Sequence, residues 1–358
     1  MDLLPLLPNR VWRTYPGGRE LDRLEGKPVP RDDHWPEDWL ASTTRAINPH
    51  PTRDDEGLAQ VELAGERRYF RDLLQAHAQD WLGAAHVARH GPEPRVLVKL
   101  LDAAVRLHFQ AHPTAAFAQQ HGLGPSGKAE AYHILSIRPE VAEPYIYLGF
   151  QHPPTRAELK RMIEQQDLAA LEACFERIPV QPGDTFFIPG GFPHAIGEGI
   201  MMVEIMEPSD LAVRFEFEKA GYVLPESARF MGRGLDFCLD VFNYDAVSVE
   251  TMRQLYAFRP HEVRKWEGSG KHYHLIGPET TPCFRVDLSV FDGPSRRPVD
   301  QAFIGIVTGG RGTIQAGRRE WTVEPFDRFF VPASSGGLDI RPVGSEPLKL
   351  LECLPPEA

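Results

Sequence analysis

The chain has 358 residues, which is enough for two or three domains, although a large β architecture can take up this length in one compact unit. Its 39 Lys and Arg residues against 50 Asp and Glu residues give a formal net charge of -11 at pH 7. This balance argues against broad electrostatic attraction to nucleic acids or to anionic membranes. We therefore expect a small polar molecule as the partner.

The composition predicts many short strands joined by turns. The 31 Gly and 33 Pro residues indicate frequent turns, and the hydrophobic share of 42% excludes a disordered chain. The four cysteines form no CxxC pair, so we expect reduced, structural thiols. Neither a leader-like segment nor an apolar run near the ~20 residues of a membrane span is found. These features predict a cytoplasmic protein whose oligomeric state is open.

The first third of the chain is predicted to be turn-rich, then helical, then extended. Residues 9–34 are rich in turn formers, and a helix is expected from residue 66 to about residue 87, before Gly91-Pro92. Apolar and polar residues alternate at the end of the run 95–112. Period two puts Gln110 and His112 on one face of a strand.

A second helix is predicted as an insertion between strands. Thr155 and Glu158 have the spacing of a capping box, and apolar residues follow at helical intervals as far as Ile178. Beyond the insertion, residues 185–188 form a short strand between two turns, and residues 195–206 form an apolar strand or strand pair.

The last third of the chain has the same pattern of short strands separated by turns. Strands are expected over residues 284–291, 303–307 and 327–332, with a glycine turn at 309–312. The phrase VEPFDRFFVP at 323–332 echoes VQPGDTFFIP at 180–189. This weak repeat of about 140 residues predicts two β-barrels of the same type.

Three segments carry residues suited to a metal. They provide two imidazoles, a carboxylate and an amide oxygen, a set that favours zinc and leaves iron, manganese, cobalt and nickel open. The candidate ligands are Gln110, His112, Glu130 and His194. Isolated histidines rarely bind metals, so other histidines are expected to be surface or hydrogen-bonded residues. This second group comprises His108, His121, His133 and His152.

The motifs around these ligands resemble a known family. The phrase PGDTFFIPGGFPH at 182–194 resembles the second metal motif of the cupin superfamily, and QxHP, GKxE and PHAI occur in the order seen in type I mannose-6-phosphate isomerases. The resemblance implies a mainly β, double-cupin fold of two jelly-roll β-barrels with a helical insertion. It also implies that Gln110, His112, Glu130 and His194 bind one divalent metal ion, with Zn²⁺ foremost.

The expected domains follow from the same resemblance. Residues 1–150 and 180–225 would form an N-terminal metal-binding barrel, residues 151–179 the helical insertion, and residues 226–358 a connecting segment and a C-terminal barrel. In that second barrel the phrase PASSGG at 332–337 takes the place of the histidine phrase and contains no histidine. The C-terminal barrel is therefore expected to be free of metal.

The resemblance implies a metal-dependent aldose–ketose isomerase. Foremost is the conversion of mannose-6-phosphate to fructose-6-phosphate, by proton transfer between C1 and C2 through an enediolate. Such a reaction needs an acid, a base and stabilisation of negative charge. Glu204 and Lys128 are both candidates for the proton transfer, with Arg214 as a further catalytic cation. The residues expected to contact substrate are Lys99, Trp39 and Glu37.

Two departures from the family pattern bear on the substrate. His108 stands where the family commonly has a serine that helps to hold phosphate, and Arg214 lacks the aspartate that usually follows three residues later. These departures favour, as an alternative, an isomerase of a non-phosphorylated sugar. A non-catalytic sugar-binding cupin and a metal-dependent cupin oxygenase are further alternatives, because one fold can carry many functions.

Overall fold

The computed structural model describes residues 2–49, 53–63 and 65–358, and these residues form a mainly β protein, which confirms the predicted class. The strands are β1 (Leu4–Pro5), β2 (Arg10–Val11), β3 (Glu37–Leu40), β4 (Gln60–Leu63), β5 (Glu66–Tyr69), β6 (Leu97–Asp102), β7 (Gln110–Ala111), β8 (Glu130–Ile137), β9 (Tyr145–Leu148), β10 (Ile178–Pro179), β11 (Thr185–Ile188), β12 (His194–Ile196), β13 (Ile200–Met206), β14 (Val213–Arg214), β15 (Glu218–Lys219), β16 (Tyr222–Val223), β17 (Ala257–Phe258), β18 (His261–Lys265), β19 (Glu267–Ile276), β20 (Arg285–Arg297), β21 (Phe303–Gly309), β22 (Arg311–Ala316), β23 (Arg319–Val323), β24 (Arg328–Val331), β25 (Leu338–Val343) and β26 (Leu348–Leu354). The α-helices are α1 (Arg19–Leu24), α2 (Phe70–Ala76), α3 (Ala78–Leu82), α4 (Ala84–His90), α5 (Ala115–Gln120), α6 (Arg156–Gln165), α7 (Leu168–Glu172), α8 (Leu235–Cys238) and α9 (Val249–Tyr256).

Two antiparallel sheets of the N-terminal part face each other. One has seven strands in the order β17-β11-β8-β13-β6-β3-β2, and the other has five in the order β10-β9-β12-β7-β14. Leu101 and Ile134 of the first sheet and Ile146 and Ile196 of the second belong to one buried apolar cluster. The two sheets therefore enclose a common interior.

The period of two along each strand decides which side chains enter that interior. On β13, Val203 and Ile205 pack into a core shared with the C-terminal sheet. Glu204, which lies between them, must point to the opposite face and so into the interior. Antiparallel pairing sets Glu204 directly opposite Lys99 of β6. The apolar strand β13 thus places one buried carboxylate, that of Glu204, in the space between the sheets.

A third sheet is built mainly from the C-terminal part of the chain. Its strands run in the order β1-β24-β21-β26-β20-β25-β22-β23, with β19 paired to β20 and β18 to β19. Val203 and Ile205 share a buried cluster with Ile306 and Leu351 of this sheet. The N-terminal and C-terminal sheets therefore share one hydrophobic core. Strand β1 lies in the C-terminal sheet, whereas the predicted boundaries assign its residues to the N-terminal unit.

The helix predicted over residues 66–87 differs from the structure at its start and in its continuity. Residues 66–69 form β5, which pairs with β4 in a hairpin. The helical part begins at Phe70, the first fully buried side chain after the hairpin, and is divided into α2, α3 and α4. Gly83 separates α3 from α4 with a positive φ of 92°. The hairpin pairing of residues 66–69 and the break in the backbone at Gly83 thus override the apolar spacing.

The helical insertion begins as the sequence predicts and ends earlier. Thr155 and Glu158 form the expected capping box at the start of α6. Helix α7 ends at Glu172, and Ile178 begins β10, so the apolar spacing continues past the helices. Residues 195–206 are divided between the strands β12 and β13. None of the helices in the described part of the chain has the length and apolar character needed to cross a membrane.

We expect His133 to make the metal-free protein sensitive to acid. Its ring lies in the core, 6% exposed, with Nδ1 2.9 Å from Thr185 Oγ1. Burial lowers the pKa of His133 from 6.5 to about 4. Below about pH 6.5 His133 binds a proton in the unfolded chain, whereas in the folded chain it stays neutral down to about pH 4. Stability should therefore fall as the pH drops from about 6.5 towards 4, by about 2 kcal/mol at pH 5.

Denaturant unfolding at about pH 7 and pH 5 measures this loss. His133→Gln removes the titrating group, so its stability should depend less on pH than that of the wild type. His152→Gln is the matched control, because the His152 side chain is 64% exposed. Equal pH dependence in His133→Gln and the wild type would exclude the buried neutral histidine as the cause.

Candidate active site

Two histidines and one glutamate form a buried cluster at the end of the interior. Nε2 of His112 lies 3.3 Å from Glu130 Oε1, and Nε2 of His194 lies 3.6 Å from Glu130 Oε2. All three side chains are almost completely buried, and their ligand atoms lie within 4.8 Å of one another. The spacing is compact enough for one metal ion to reach all three.

The hydrogen bonds of the two imidazoles show which ring nitrogen carries the hydrogen and which one faces the Glu130 carboxylate. Nδ1 of His112 lies 2.8 Å from the carbonyl oxygen of Leu211, and Nδ1 of His194 lies 2.9 Å from that of Phe192. A carbonyl oxygen only accepts, so each Nδ1 carries the hydrogen. Burial and the nearby Lys128 ammonium lower the pKa of His112 to about 3, so that ring is neutral. Two Nε2 lone pairs therefore converge on Glu130, an arrangement that suits a cation.

Two further predicted residues adjoin this cluster. Nε2 of Gln110 lies 3.3 Å from Nε2 of His194, the residue it pairs with across β7 and β12. A half-turn of the amide would present Oε1 as a fourth ligand. The Lys128 ammonium lies 2.8 Å from Glu130 Oε1 and 3.2 Å from His112 Nε2. The four predicted ligands and Lys128 thus meet in one place.

Glycines allow the ligand-bearing segments to approach closely. A Cβ at Gly127 would lie 2.4 Å from the backbone nitrogen of Ala115. Gly191 has a positive φ of 88°, and its N–H donates to the carbonyl of His112 over 2.6 Å. The GKxE motif therefore needs glycine at position 127 because a side chain would force the segments apart, and the turn before His194 needs glycine at position 191 because of its positive φ.

A second group of charges lies on the inner face of the seven-stranded sheet. The Lys99 ammonium is 2.7 Å from Glu204 Oε2 and 3.5 Å from Glu37 Oε2. Burial raises the pKa of Glu204, and the Glu130 carboxylate adds to this, against the opposing effect of Lys99. Glu204 is therefore a buried carboxyl group whose proton is held more tightly than usual, as expected of a group that exchanges protons with a ligand.

Glu37 is held by other protein groups. It accepts hydrogen bonds from the Tyr15 hydroxyl (2.6 Å), the Trp39 indole (2.7 Å) and Arg13 Nε (2.9 Å). Although burial opposes its charge, the cations of Arg13 and Lys99 keep the pKa of Glu37 well below its usual range. Its oxygens are thus occupied, so its main effect here is to orient its neighbours.

Trp39, which is predicted to contact substrate, is buried and is not among the residues that line the cavity. The ring is 0% exposed and packs beneath the Lys99 ammonium, 5.0 Å from the ring centroid. Period two puts Trp39 and Glu37 on the same face of β3, and the indole N–H is used to bind Glu37. The tryptophan therefore lies beside Glu37 and Lys99 on the inner face of the sheet and helps to hold them in position.

Arg214 and His108 face the same cavity with unused hydrogen-bonding capacity. Arg214 forms no ion pair in the described part of the chain, and its Nη1 donates to the carbonyl of Ala228 over 3.0 Å. Nδ1 of His108 lies 3.0 Å from the carbonyl of Glu216, and its buried Nε2 has no partner among the described residues. Burial and the Arg214 cation lower the pKa of His108 to about 4.

One cavity brings most of the predicted residues together. The sequence-predicted members of its lining are Glu37, Lys99, Gln110, Lys128, Glu204 and Arg214. Arg13 and Asp210 also line it, joined by a bidentate ion pair of 3.1 and 3.2 Å. Sequence reasoning misses Arg13, because it lies in a turn-rich segment without periodicity. It assigns no role to Asp210 either, because no local pattern around that residue indicates a partner so distant in sequence.

Comparison with known proteins finds relatives for part of the sequence. A mannose-6-phosphate isomerase of Streptococcus mutans is 38% identical over 214 residues, which are 59% of this chain and 58% of that protein. The enzyme ManA of Bacillus subtilis, also a mannose-6-phosphate isomerase, is 35% identical over 119 residues, which are 33% of this chain and 36% of that protein. The aligned regions thus cover about a third to three fifths of these relatives. No family model matches the chain.

The fold is similar to solved structures over the whole chain. The mannose 6-phosphate isomerase of Bacillus subtilis has a TM-score of 0.74 at 19% identity, with 99% of each chain covered. A zinc-bound mannose 6-phosphate isomerase has a TM-score of 0.72 at 16% identity, with 100% of each chain covered. The resemblance to mannose-6-phosphate isomerases that the metal motifs indicate is therefore confirmed, in sequence over part of the chain and in fold over its length.

Proposed function

We propose that this protein is a metal-dependent aldose–ketose isomerase that converts mannose-6-phosphate to fructose-6-phosphate. The observation that carries the proposal is the convergence of His112, Glu130 and His194 beside a cavity lined by Glu204, Lys99 and Arg214. The similarity to mannose-6-phosphate isomerases agrees with this activity. A cation site, a group that exchanges protons and a free positive charge are the parts that the reaction requires.

The finer architecture is part of the proposal. We interpret the facing sheets as a metal-binding cupin barrel over residues 1–150 and 180–225, and residues 226–358 as a connecting segment and a second cupin barrel, with residues 151–179 inserted between strands. A small sugar is the proposed partner, with neither nucleic acid nor membrane involved. We further propose a cytoplasmic location for this activity.

The proposed metal is zinc, held by Gln110, His112, Glu130 and His194. Mixed imidazole and oxygen ligands suit this ion, and one of the structural neighbours is a zinc-bound enzyme. A bound divalent ion supplies Lewis acidity that stabilises negative charge developing on the substrate oxygens. The hydrogen bonds from both Nδ1 atoms to backbone carbonyls orient the imidazoles for this role.

Proton transfer is assigned to Glu204. In the forward reaction its carboxylate takes the proton from C2 and returns it to C1, while the electron pair moves from the C2–H bond through the enediolate. The raised pKa of the buried Glu204 favours uptake of the proton. The Lys99 ammonium at 2.7 Å stabilises the ionised carboxylate before the proton is taken from C2 and after it is returned to C1. We assign to Lys128, which lies beside Glu130, the exchange of the hydroxyl proton between O1 and O2.

Arg214 is assigned to the negative charge of the substrate or intermediate. It faces the cavity without an ion-pair partner in the described part of the chain, so its charge is available to a ligand. A guanidinium can bind a phosphate through two hydrogen bonds or stabilise an oxyanion.

His108 favours the alternative substrate, a non-phosphorylated sugar. Its Nδ1 hydrogen is committed to Glu216, so the unpartnered Nε2 offers only a lone pair. A sugar hydroxyl can donate to that lone pair, whereas a phosphate oxygen cannot. The same enzyme chemistry with a free aldose is therefore the second candidate function.

A panel of phosphorylated and free aldoses tests the proposal directly. The zinc-loaded protein should convert mannose-6-phosphate to fructose-6-phosphate, measured by an assay coupled to the ketose product. Loss of all aldose turnover in the metal-loaded protein would contradict the proposal. Oxygen consumption by the iron-loaded protein would favour the oxygenase alternative instead.

Removing one imidazole should abolish tight metal binding at the cluster. Since His112 supplies a converging Nε2 lone pair, His112→Ala should lose at least tenfold in zinc affinity, together with turnover. Competition with a chromophoric chelator measures the affinity, and circular dichroism checks the fold. His152→Ala, whose side chain is 64% exposed, is the control. Unchanged affinity in His112→Ala would remove the residue from the ligand set.

Substitution of the proposed catalytic charges should reduce turnover while leaving the fold intact. Glu204→Gln, Lys128→Ala and Arg214→Ala should each cost about 2 to 4 kcal/mol of transition-state stabilisation, roughly thirty-fold to a thousand-fold in rate. Arg311→Ala, an arginine with a 72% exposed side chain, is the control for loss of a positive charge. Wild-type kcat in Arg214→Ala would separate that residue from the reaction.

His108→Ser should shift the enzyme towards phosphorylated substrates. Serine can donate a hydrogen bond where His108 offers only a lone pair, so the ratio of kcat/KM for mannose-6-phosphate to that for mannose should rise roughly tenfold, or about 1.4 kcal/mol. His121→Ser is a control outside the cavity lining. A ratio that stays constant while both activities fall equally would assign His108 a purely structural role.

A further inference from the structure

A second cluster of metal-type ligands lies in the C-terminal sheet. Nε2 of His272 is 3.2 Å from Asp287 Oδ2, and Nδ1 of His274 is 2.6 Å from Asp287 Oδ1. The ligand atoms of these three residues lie within 4.8 Å of one another. His272 and His274 share one face of β19 because they are two residues apart, and Asp287 stands opposite His274 on β20.

Hydrogen bonds behind the cluster fix the state of His272. The Ser289 hydroxyl donates to Glu352 Oε1 over 2.7 Å, because a carboxylate only accepts. The serine has then used its one hydrogen, so its oxygen must accept from Nδ1 of His272 at 3.1 Å. The Trp266 indole N–H, 3.2 Å away, donates to the same oxygen. Nδ1 of His272 therefore carries a hydrogen, and in the neutral ring the Nε2 lone pair points at Asp287.

A lone pair facing a carboxylate is repulsive unless a cation lies between them. A second proton on the ring is one solution, and a bound metal ion is another. Arg285 Nε already occupies Asp287 Oδ2 at 2.9 Å, which adds a positive charge beside the ring. A metal ion instead satisfies both imidazoles and the carboxylate at once, with Ser289 and Glu352 orienting His272 from behind.

The cluster also opens to a cavity. His272 and His274 line it together with Arg264, Arg285 and Arg297. Asp287 is 0% exposed and His272 4% exposed, while the His274 side chain is 32% exposed and forms the entrance. A metal held by the three residues would keep a coordination position towards this cavity, and the arginines would favour an anion there.

We propose that His272, His274 and Asp287 bind a second divalent metal ion of the zinc class, with water or a small anion as the fourth ligand. The site shares no residue with the first cluster, and it stands whether or not the protein is an isomerase. It differs from the expectation of a metal-free C-terminal barrel. That expectation rests on residues 332–337, whereas these ligands lie on β19 and β20.

Metal counting in matched variants tests the proposal. The full chain is stripped with a chelator, loaded with Co²⁺ or Zn²⁺, desalted and analysed by elemental mass spectrometry. The wild type should retain two ions per chain. His274→Ala and His112→Ala should each retain one, and the double variant none. The visible absorption of Co²⁺ should show two separable tetrahedral contributions, one lost in each single variant.

His261→Ala is the matched control, because His261 is exposed and pairs with His274 across β18 and β19. It should retain both ions, and His274→Ala should keep the turnover of the wild type. Asp287→Asn provides a second variant, with circular dichroism to confirm folding. Equal metal content in the wild type, His274→Ala and Asp287→Asn would overturn the second site. A wild type that retains a single ion, lost in His112→Ala and kept in His274→Ala, would likewise overturn it.

Discussion

Charged side chains on the inner face of the seven-stranded sheet must find partners, because an unpaired charge inside a protein is strongly destabilising. Glu37, Lys99 and Glu204 meet this condition through ion pairs across neighbouring strands. Arg13 extends the chain of contacts to Asp210. Each of these charges is therefore positioned by another charge, and Glu37, Lys99 and Glu204 are also positioned by their strands. The cavity owes its geometry to this requirement for pairing.

The balance of acidic and basic side chains around the cavity indicates which charged ligands the site can bind. Among the described residues, the acids are Glu37, Glu130, Glu204 and Asp210, and the bases are Arg13, Lys99, Lys128 and Arg214. The two sets are equal in number, and His112 is neutral. A divalent cation would leave an excess of positive charge. In the proposed isomerase, a phosphate dianion or a developing enediolate would compensate for that excess, and metal binding would then favour substrate binding electrostatically.

The sequence was informative where chemistry is tied to local geometry. The ligands His112 and His194 could be proposed because one lies on an alternating strand and the other follows a glycine turn, and both features are local. The partnership of Arg13 with Asp210 could not, since 197 residues separate them and neither lies in a periodic segment. His272 and His274 carry a signal of period two, but only the pairing of β19 with β20 reveals Asp287. The burial of Trp39 depends on Leu97 and Met206, which are distant from it in sequence.

The pairing of β1 with β24 has a consequence for folding. Leu4 lies opposite Phe330, so the C-terminal sheet is completed by a strand from the other end of the chain. Contacts of such large sequence separation form slowly, because a long loop must close before they contribute. Until then the backbone groups along one edge of β24 stay open to pairing with other molecules. The pairing of β1 therefore covers an edge of β24 in the folded sheet, and this cover can form only once residues 328–331 have been synthesised.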